Sequence, residues 1–305
     1  MLHRRYYAFP KGRILTVSFV FFIAYVFLSI AKAEAGYVDD KIQVVVSILP
    51  QKFFVESIGK GLLHVTVMLP PGANPATYEP RPSQMKLLSK ASMYFAIGVP
   101  FERAWLERFR SVNPAMEIID TWKGIKRYPM LDRDHRLKTG NVDPHIWLSP
   151  PLALIQARNI MEALSRRYPK WAEAFMANYA SLAEKIVKLD LSLMKMLELK
   201  NASQKGPRAF MVFHPSWGYF ARAYGLRQIP IEQEGKEPKP SQLVKLINEA
   251  KEMAIRVILV QPQFPAKAAR LISEATGARI IMADPLALNW DENLLKVAKA
   301  LGEYL

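Results

Sequence analysis

Asp143-Pro144-His145-Ile146-Trp147-Leu148-Ser149-Pro150 lies where the chain changes from alternating short strands and helices to long helices. Proline disfavours helical geometry in the residue before it, so this stretch begins extended. Its three apolar residues, with Trp147 as a buried anchor, would fix the rotamer of His145. Such a histidine suits a metal ligand or a general base. The alternative is a turn histidine that caps the following helix.

The chain before this stretch alternates between apolar strands and amphipathic helices. Apolar runs bounded by Pro and Gly predict strands at 42–49, 64–69, 93–97 and 117–120. We expect Ser83 to cap a helix and residues 123–141 to form a surface loop. The alternation is typical of a parallel α/β sheet, in which ligands bind beyond the carboxyl ends of the strands. We place the loop 70–82 and His145 on that edge.

The chain after this stretch begins with two helices and then resumes the alternation. Residues 152–168 and 171–199 have helical periodicity, and the second helix would be roughly 45 Å long. Strands are predicted at 209–213, 228–231, 257–260 and 279–282, with Ser241 capping a helix between them. The predicted fold is α/β, with two Rossmann-like lobes of parallel sheet at 36–170 and 201–305, joined by one long helix at 171–200.

The N-terminus has the three-part pattern of an export signal. Basic residues precede an uncharged apolar run at 14–30, and Ala31-Lys32-Ala33-Glu34-Ala35 follows with small residues at alternate positions. We predict a signal peptide over 1–35 and a periplasmic protein, which stays membrane-anchored if the signal is not cleaved. Removal of 1–35 takes away five basic residues and one acidic residue, which lowers the net charge from +15 to +11.

Composition excludes several classes of function. The absence of cysteine excludes disulfides, thiolate catalysis and cysteine-ligated zinc. The basic residues occur singly or in pairs, so we expect no binding to nucleic acid.

Three side chains that bind metals are predicted at strand ends, each beside a proline. These are His145, His214 and Asp284, which are separated by 69 and 70 residues. Two imidazoles and a carboxylate suit zinc, and equally iron(II) or manganese. His214 could instead cap the helix behind it, and Asp284 could be a turn residue.

The sequence resembles the solute-binding proteins of zinc and manganese ABC importers, the ZnuA/TroA-like (cluster A-I) family. Six motifs carry the resemblance over about residues 40–305: Pro71-Gly72-Ala73-Asn74-Pro75-Ala76-Thr77-Tyr78-Glu79-Pro80, Gly98-Val99-Pro100-Phe101-Glu102 with Trp105, Asp143-Pro144-His145-Ile146-Trp147-Leu148, His214-Pro215-Ser216-Trp217-Gly218-Tyr219-Phe220-Ala221, Glu237-Pro238-Lys239-Pro240-Ser241 and Asp284-Pro285-Leu286. The resemblance implies a metal site in a cleft between two lobes, with His145, His214 and Asp284 as ligands.

The chain departs from the family pattern at one ligand position. The family's first histidine corresponds to Ala76 here, and Glu79 is a nearby residue of the cleft rather than an assigned ligand. We therefore expect an incomplete three-ligand site that takes zinc, with manganese or iron as alternatives, since His214 stands where manganese-type members tend to have glutamate.

The function we expect is metal capture by a monomeric, non-enzymatic protein that delivers its ion to an ABC transporter permease. The alternatives are a binding protein for a metal chelate or anionic small molecule, or a metal-dependent hydrolase that uses the open position.

Overall fold

Two four-stranded parallel sheets form the framework of the computed structural model, which describes residues 41–131, 137–197, 208–232 and 235–305. Residues 42–305 form one compact unit. The predicted signal peptide lies outside the described residues. The first sheet has the order β2-β1-β3-β4 and the second has the order β10-β9-β7-β8. The strands are β1 (Ile42–Val46), β2 (Leu63–Val67), β3 (Met93–Ala96), β4 (Glu117–Asp120), β5 (Pro129–Leu131), β6 (Leu137–Val142), β7 (Arg208–Val212), β8 (Leu226–Pro230), β9 (Val257–Val260) and β10 (Arg279–Met282).

The central strands are apolar because both faces of each sheet are covered. In β9, Val257 and Leu259 belong to the large core, whereas Ile258 and Val260 belong to a smaller core under the second sheet. Successive side chains of a strand point to opposite faces, so a run without polar residues is the pattern of a strand that is buried on both sides. The two predicted parallel α/β lobes are confirmed.

Nine α-helices are described, and several begin at a proline. They are α1 (Leu49–Gly59), α2 (Pro82–Leu88), α3 (Pro100–Val112), α4 (Pro150–Arg167), α5 (Ala172–Leu197), α6 (Gly218–Ala223), α7 (Pro240–Glu252), α8 (Lys267–Thr276) and α9 (Trp290–Tyr304). Short 3-10 turns cover Lys60–Leu62, Ile146–Leu148 and Pro169–Trp171. Within the described ranges, no helix combines the length and the apolar character needed to cross a membrane.

The long helix expected between the lobes is α5. Its 26 residues make it about 39 Å long at 1.5 Å per residue. Phe175, Leu182, Ile186, Leu189 and Leu193 form its buried stripe and belong to the large core. The recurrence of apolar residues at three and four positions therefore reflects core packing.

Three local predictions were wrong. Residues 123–141 are not all loop, because β5 and β6 pair there as an antiparallel hairpin. The helix predicted to be capped by Ser83 begins at Pro82, with Arg81 as its N-cap, and the helix assigned to Ser241 begins at Pro240. Proline is favoured in the first helical turn, where its missing N–H is not needed, so each serine lies inside its helix.

The last helix returns to the first half of the molecule. The Trp290 ring lies 5.6 Å from the Phe53 ring and 5.0 Å from the Phe54 ring, both on α1. A 2.6 Å ion pair between Lys185 of α5 and Asp291 of α9 lies at the same junction. The chain segment that follows the second sheet thus completes the core of the first sheet.

A buried carboxylate joins the ends of β1 and β3. Glu102 accepts hydrogen bonds from the backbone N–H groups of Ile97 (2.8 Å) and Gly98 (2.6 Å) and from the Ser47 hydroxyl. Burial raises the pKa of Glu102 from 4.5 to about 7, although these hydrogen bonds oppose the shift. The glutamate of the motif at 98–102 therefore organises the edge of the first sheet.

Candidate metal site

His145 lies in a buried loop whose conformation is held by the side chain of Asp143. Asp143 Oδ1 accepts a 3.0 Å hydrogen bond from the His145 backbone N–H and lies 2.7 Å from His145 Nδ1. The residue follows a strand, as predicted, but that strand is β6 of the antiparallel hairpin and not a strand of a parallel sheet. Its imidazole packs 5.1 Å from the Trp147 ring, which confirms the proposed anchor.

His214 follows β7, at the predicted carboxyl edge of the second sheet. The Gln261 side chain holds its backbone from both sides, since Oε1 accepts from the His214 N–H (3.1 Å) and Nε2 donates to the His214 carbonyl (2.7 Å). Phe264 stacks on the imidazole with a centroid distance of 5.0 Å and an interplanar angle of 23°. The loop after β9 therefore fixes both the backbone and the ring of His214.

The structure brings His145 and His214 together. Their ring centroids are 5.4 Å apart, with an interplanar angle of 69°. Two imidazoles bound to one tetrahedral zinc, with Zn–N bonds near 2.1 Å, would have centroids about 5 Å apart. The observed separation is therefore compatible with two ligands of one ion.

Each histidine is paired with a carboxylate at Nδ1. His145 has Asp143, and His214 has Glu232 Oε1 at 3.0 Å. Because a carboxylate only accepts, the pairing places the proton on Nδ1 and leaves the lone pair on Nε2. No described residue hydrogen-bonds to either Nε2. Burial lowers the pKa of His145 below its usual 6.5, with Asp143 opposing, and this favours the neutral, metal-binding form.

Asp284 follows β10, at the strand end where it was predicted. Its Oδ1 accepts hydrogen bonds from Gln263 Nε2 (2.7 Å) and from the Leu286 backbone N–H (2.9 Å). Gln263 lies next to Phe264, whose ring covers His214. One loop, Gln261 to Phe264, thus contacts both predicted ligands of the second sheet.

The structure does not assemble all three predicted ligands. Within the described ranges, no three His, Asp or Glu side chains are close enough together to hold a metal ion. Ala76 and Glu79 are exposed, and the Ala76 N–H donates a 2.9 Å hydrogen bond to Asn74 Oδ1 within its own turn. The observed unit of the site is therefore the histidine pair, with Asp284 tied to Gln263.

Sequence reasoning missed the residues that support the histidines. Asp143 was considered only for its effect on backbone geometry, and Glu232 was not among the predicted site residues. The spacing Asp-x-His at 143–145 could have indicated the first pair, because an aspartate reaches the residue two positions on. Glu232 is 18 positions from His214, so only the fold shows that pair.

The chain combines two parallel α/β lobes, one long helix and a pair of histidines in contact. A family model described as "Zinc-uptake complex component A periplasmic" (ZnuA) matches residues 44–301. The chain therefore belongs to the ZnuA family.

Individual relatives agree with this assignment. The chain is 27% identical over 279 residues to the high-affinity zinc uptake system protein ZnuA of Bacillus subtilis (strain 168), with 85% of each chain covered. A crystal structure of ZnuA aligns with a TM-score of 0.80 and 39% identity over 87% of this chain and 99% of that chain. A deletion mutant of ZnuA with zinc bound aligns with a TM-score of 0.79 and 40% identity over 87% and 98%.

Proposed function

We propose that this protein captures a divalent metal ion, zinc before manganese or iron, and delivers it to the permease of an ABC importer. The observation that carries the proposal is the contact between His145 and His214, with Nδ1 of each ring occupied by a carboxylate. Two imidazole nitrogens favour zinc over the harder cations, which prefer oxygen ligands. The ZnuA structure with zinc bound supports the same metal.

We assign Asp284 as the third ligand. Its Oδ1 is held by Gln263, and no described residue hydrogen-bonds to its Oδ2. A bound cation would attract this carboxylate, and water would complete a four-coordinate site in place of the side chain that Ala76 lacks. Three protein ligands give a site from which the ion can still be released to a transporter.

The charge of the site favours a free cation over an anionic cargo. Asp143 and Glu232 place two buried carboxylates against the two histidines, in a chain whose net charge is +15. A dication neutralises most of this local negative charge, whereas an anionic chelate would be repelled. The negative charge at the site therefore argues against an anionic ligand.

We further propose that the protein is a monomer outside the cytoplasm and performs no catalysis. We propose that the chain consists of a signal peptide at residues 1–35, α/β lobes at 36–170 and 201–305, and a linking helix at 171–200. N-terminal sequencing of the exported protein tests the signal. With zinc added, the rates of ester and phosphoester hydrolysis should equal those of zinc alone.

The direct test is calorimetric titration of the purified protein with zinc, manganese and iron(II). One zinc per chain is expected, and His145→Ala and His214→Ala should each lose tight binding, because two remaining ligands compete poorly with water. His64→Ala, on the exposed face of β2, is the matched control and should bind like the wild type. Unchanged zinc affinity in both site variants would overturn the proposal.

A further inference from the structure

Two carboxylates from different parts of the chain hold the two histidines in the same way. Asp143 and Glu232 are 6% and 5% exposed, so each imidazole contacts a buried acid rather than water. The Nδ1–oxygen distances are 2.7 Å and 3.0 Å. Burial of an acid is costly unless it is paired, and the repetition at both rings indicates a shared purpose.

We infer that Asp143 and Glu232 are positioning residues that fix the tautomer of His145 and His214, so that both rings present Nε2 to the metal. This inference rests on the proposed function and deepens it. A neutral imidazole has one donor nitrogen and one acceptor nitrogen, and a carboxylate at Nδ1 selects the form whose acceptor is Nε2. The negative charge also increases the basicity of the ligating nitrogen.

The contact between Glu232 and His214 strengthens the inference. Oε2 is buried and has no hydrogen-bond partner among the described residues, whereas Oε1 contacts His214. Glu237 Oε1, which is remote from the histidines, is also buried without a described partner, so the unpaired oxygen alone does not mark a metal site. What distinguishes Glu232 is its contact with His214, which places its negative charge where it can stabilise a cation bound on the far side of the ring.

Asp143 is positioned by a close neighbour from the second half of the chain. A methyl group built on Gly218 would lie 3.1 Å from Asp143 Oδ2 and 2.9 Å from Gln228 Nε2. Glycine at 218 therefore leaves the space that this carboxylate occupies. Gly218→Ala should displace Asp143 without removing any charge or any ligand.

The first test is zinc affinity measured by calorimetry. Asp143→Asn and Glu232→Gln keep the side-chain volumes, and each should weaken zinc binding about 10- to 100-fold. Gly218→Ala should weaken it in the same direction. Glu237→Gln is the matched control, since Glu237 is also a partly buried acid of the second half but its Oε2 accepts from the Ala268 N–H (3.2 Å) rather than from a histidine.

The second test reads the tautomers directly, by long-range ¹H–¹⁵N NMR of the metal-free protein at neutral pH. In the wild type, both rings should carry the proton on Nδ1. Glu232→Gln should change the tautomer ratio of His214 alone, and Asp143→Asn that of His145 alone. A merely structural acid would not produce this one-to-one response.

The outcomes separate this inference from the proposed function. Unchanged zinc affinity and unchanged tautomers in Asp143→Asn and Glu232→Gln would overturn the positioning role, even if His214→Ala loses zinc. If the tautomers respond but His145→Ala and His214→Ala bind zinc like the wild type, the proposed metal site is overturned, and the carboxylates set the tautomers without a role in metal binding.

Discussion

The indole Nε1 of Trp290 donates a 2.7 Å hydrogen bond to the backbone carbonyl of Trp147. The Trp147 indole in turn donates a 2.7 Å hydrogen bond to the carbonyl of Pro285. The loop of His145 and the loop of Asp284 are therefore joined by two buried indole hydrogen bonds. We expect these bonds to limit relative movement of the two loops when an ion binds or leaves.

Trp290→Phe should lower the free energy of unfolding by about 1–3 kcal/mol, because the buried Trp147 carbonyl loses its donor. The measurement is denaturation by urea followed by circular dichroism. Trp171→Phe is the matched control, since the half-buried Trp171 indole has no hydrogen bond to a described residue. Equal stability losses in the two variants would mean that lost ring contacts, and not the hydrogen bond, explain the effect.

Leu193→Ala should destabilise the protein by about 2–5 kcal/mol, the usual cost of emptying a buried leucine site. Leu193 is fully buried on α5, whereas Leu191 of the same helix is 60% exposed. Leu191→Ala should therefore change stability by no more than about 0.5 kcal/mol. Thermal unfolding of both variants measures the difference, and comparable shifts would contradict the assigned orientation of α5.

Ala76→His should tighten zinc binding by about tenfold or more, since a third imidazole would complete a tetrahedral set of protein ligands. Thr77→His places the same side chain one position further along the exposed loop and is the control. Competition with a chromophoric zinc chelator gives both affinities. The same affinity in the two variants would show that position 76 does not face the ion.

Glu102→Gln should remove a pH dependence of stability. The pKa of Glu102 is raised to about 7 by burial, so between pH 4.5 and 7 the folded protein binds this proton more tightly than the unfolded chain does. Its contribution to the free energy of unfolding is therefore full below pH 4.5 and is lost as the pH rises through 7.

The measurement is the difference in free energy of unfolding between wild type and variant at pH 5, 6, 7 and 8. That difference should fall as the pH rises. Glu107→Gln, which changes an exposed acid of the same helix, should give a flat difference. A flat difference for Glu102→Gln as well would mean that the carboxylate is ionised throughout this range.

Much of the framework could be predicted from sequence because the strands are buried on both faces. Residues 257–260 and 279–282 were predicted as strands with the bounds that the structure shows, since short apolar runs stand out there. The hairpin of β5 and β6 was missed because its polar residues, Lys138 to Asn141, lack the alternation of a half-buried strand. The N-caps of α2 and α7 were placed two residues late, because Pro82 and Pro240 were assigned to the preceding loops and the serines behind them were taken as caps.

The site could be predicted only as a set of separate positions. A histidine or an aspartate beside a proline at a strand end can be recognised locally, which is why His214 and Asp284 were found. The contact between His145 and His214, the pairing of Glu232 and the position of Gln263 all depend on loops that meet in three dimensions. These tertiary contacts leave no hydrophobic periodicity in the sequence from which they could be predicted.

The return of α9 to the first sheet also determines the order in which the protein can fold. Val44, Phe54 and Trp290 belong to one core, although almost the whole described chain separates them. During synthesis the N-terminal half emerges first, and it cannot complete this core until residues 290–304 are available. Contacts between residues that are far apart in sequence must therefore form before the first half is stable. Until then, the Phe53 and Phe54 rings lack their contact with Trp290. The nascent protein therefore exposes apolar surface of the kind that chaperones bind.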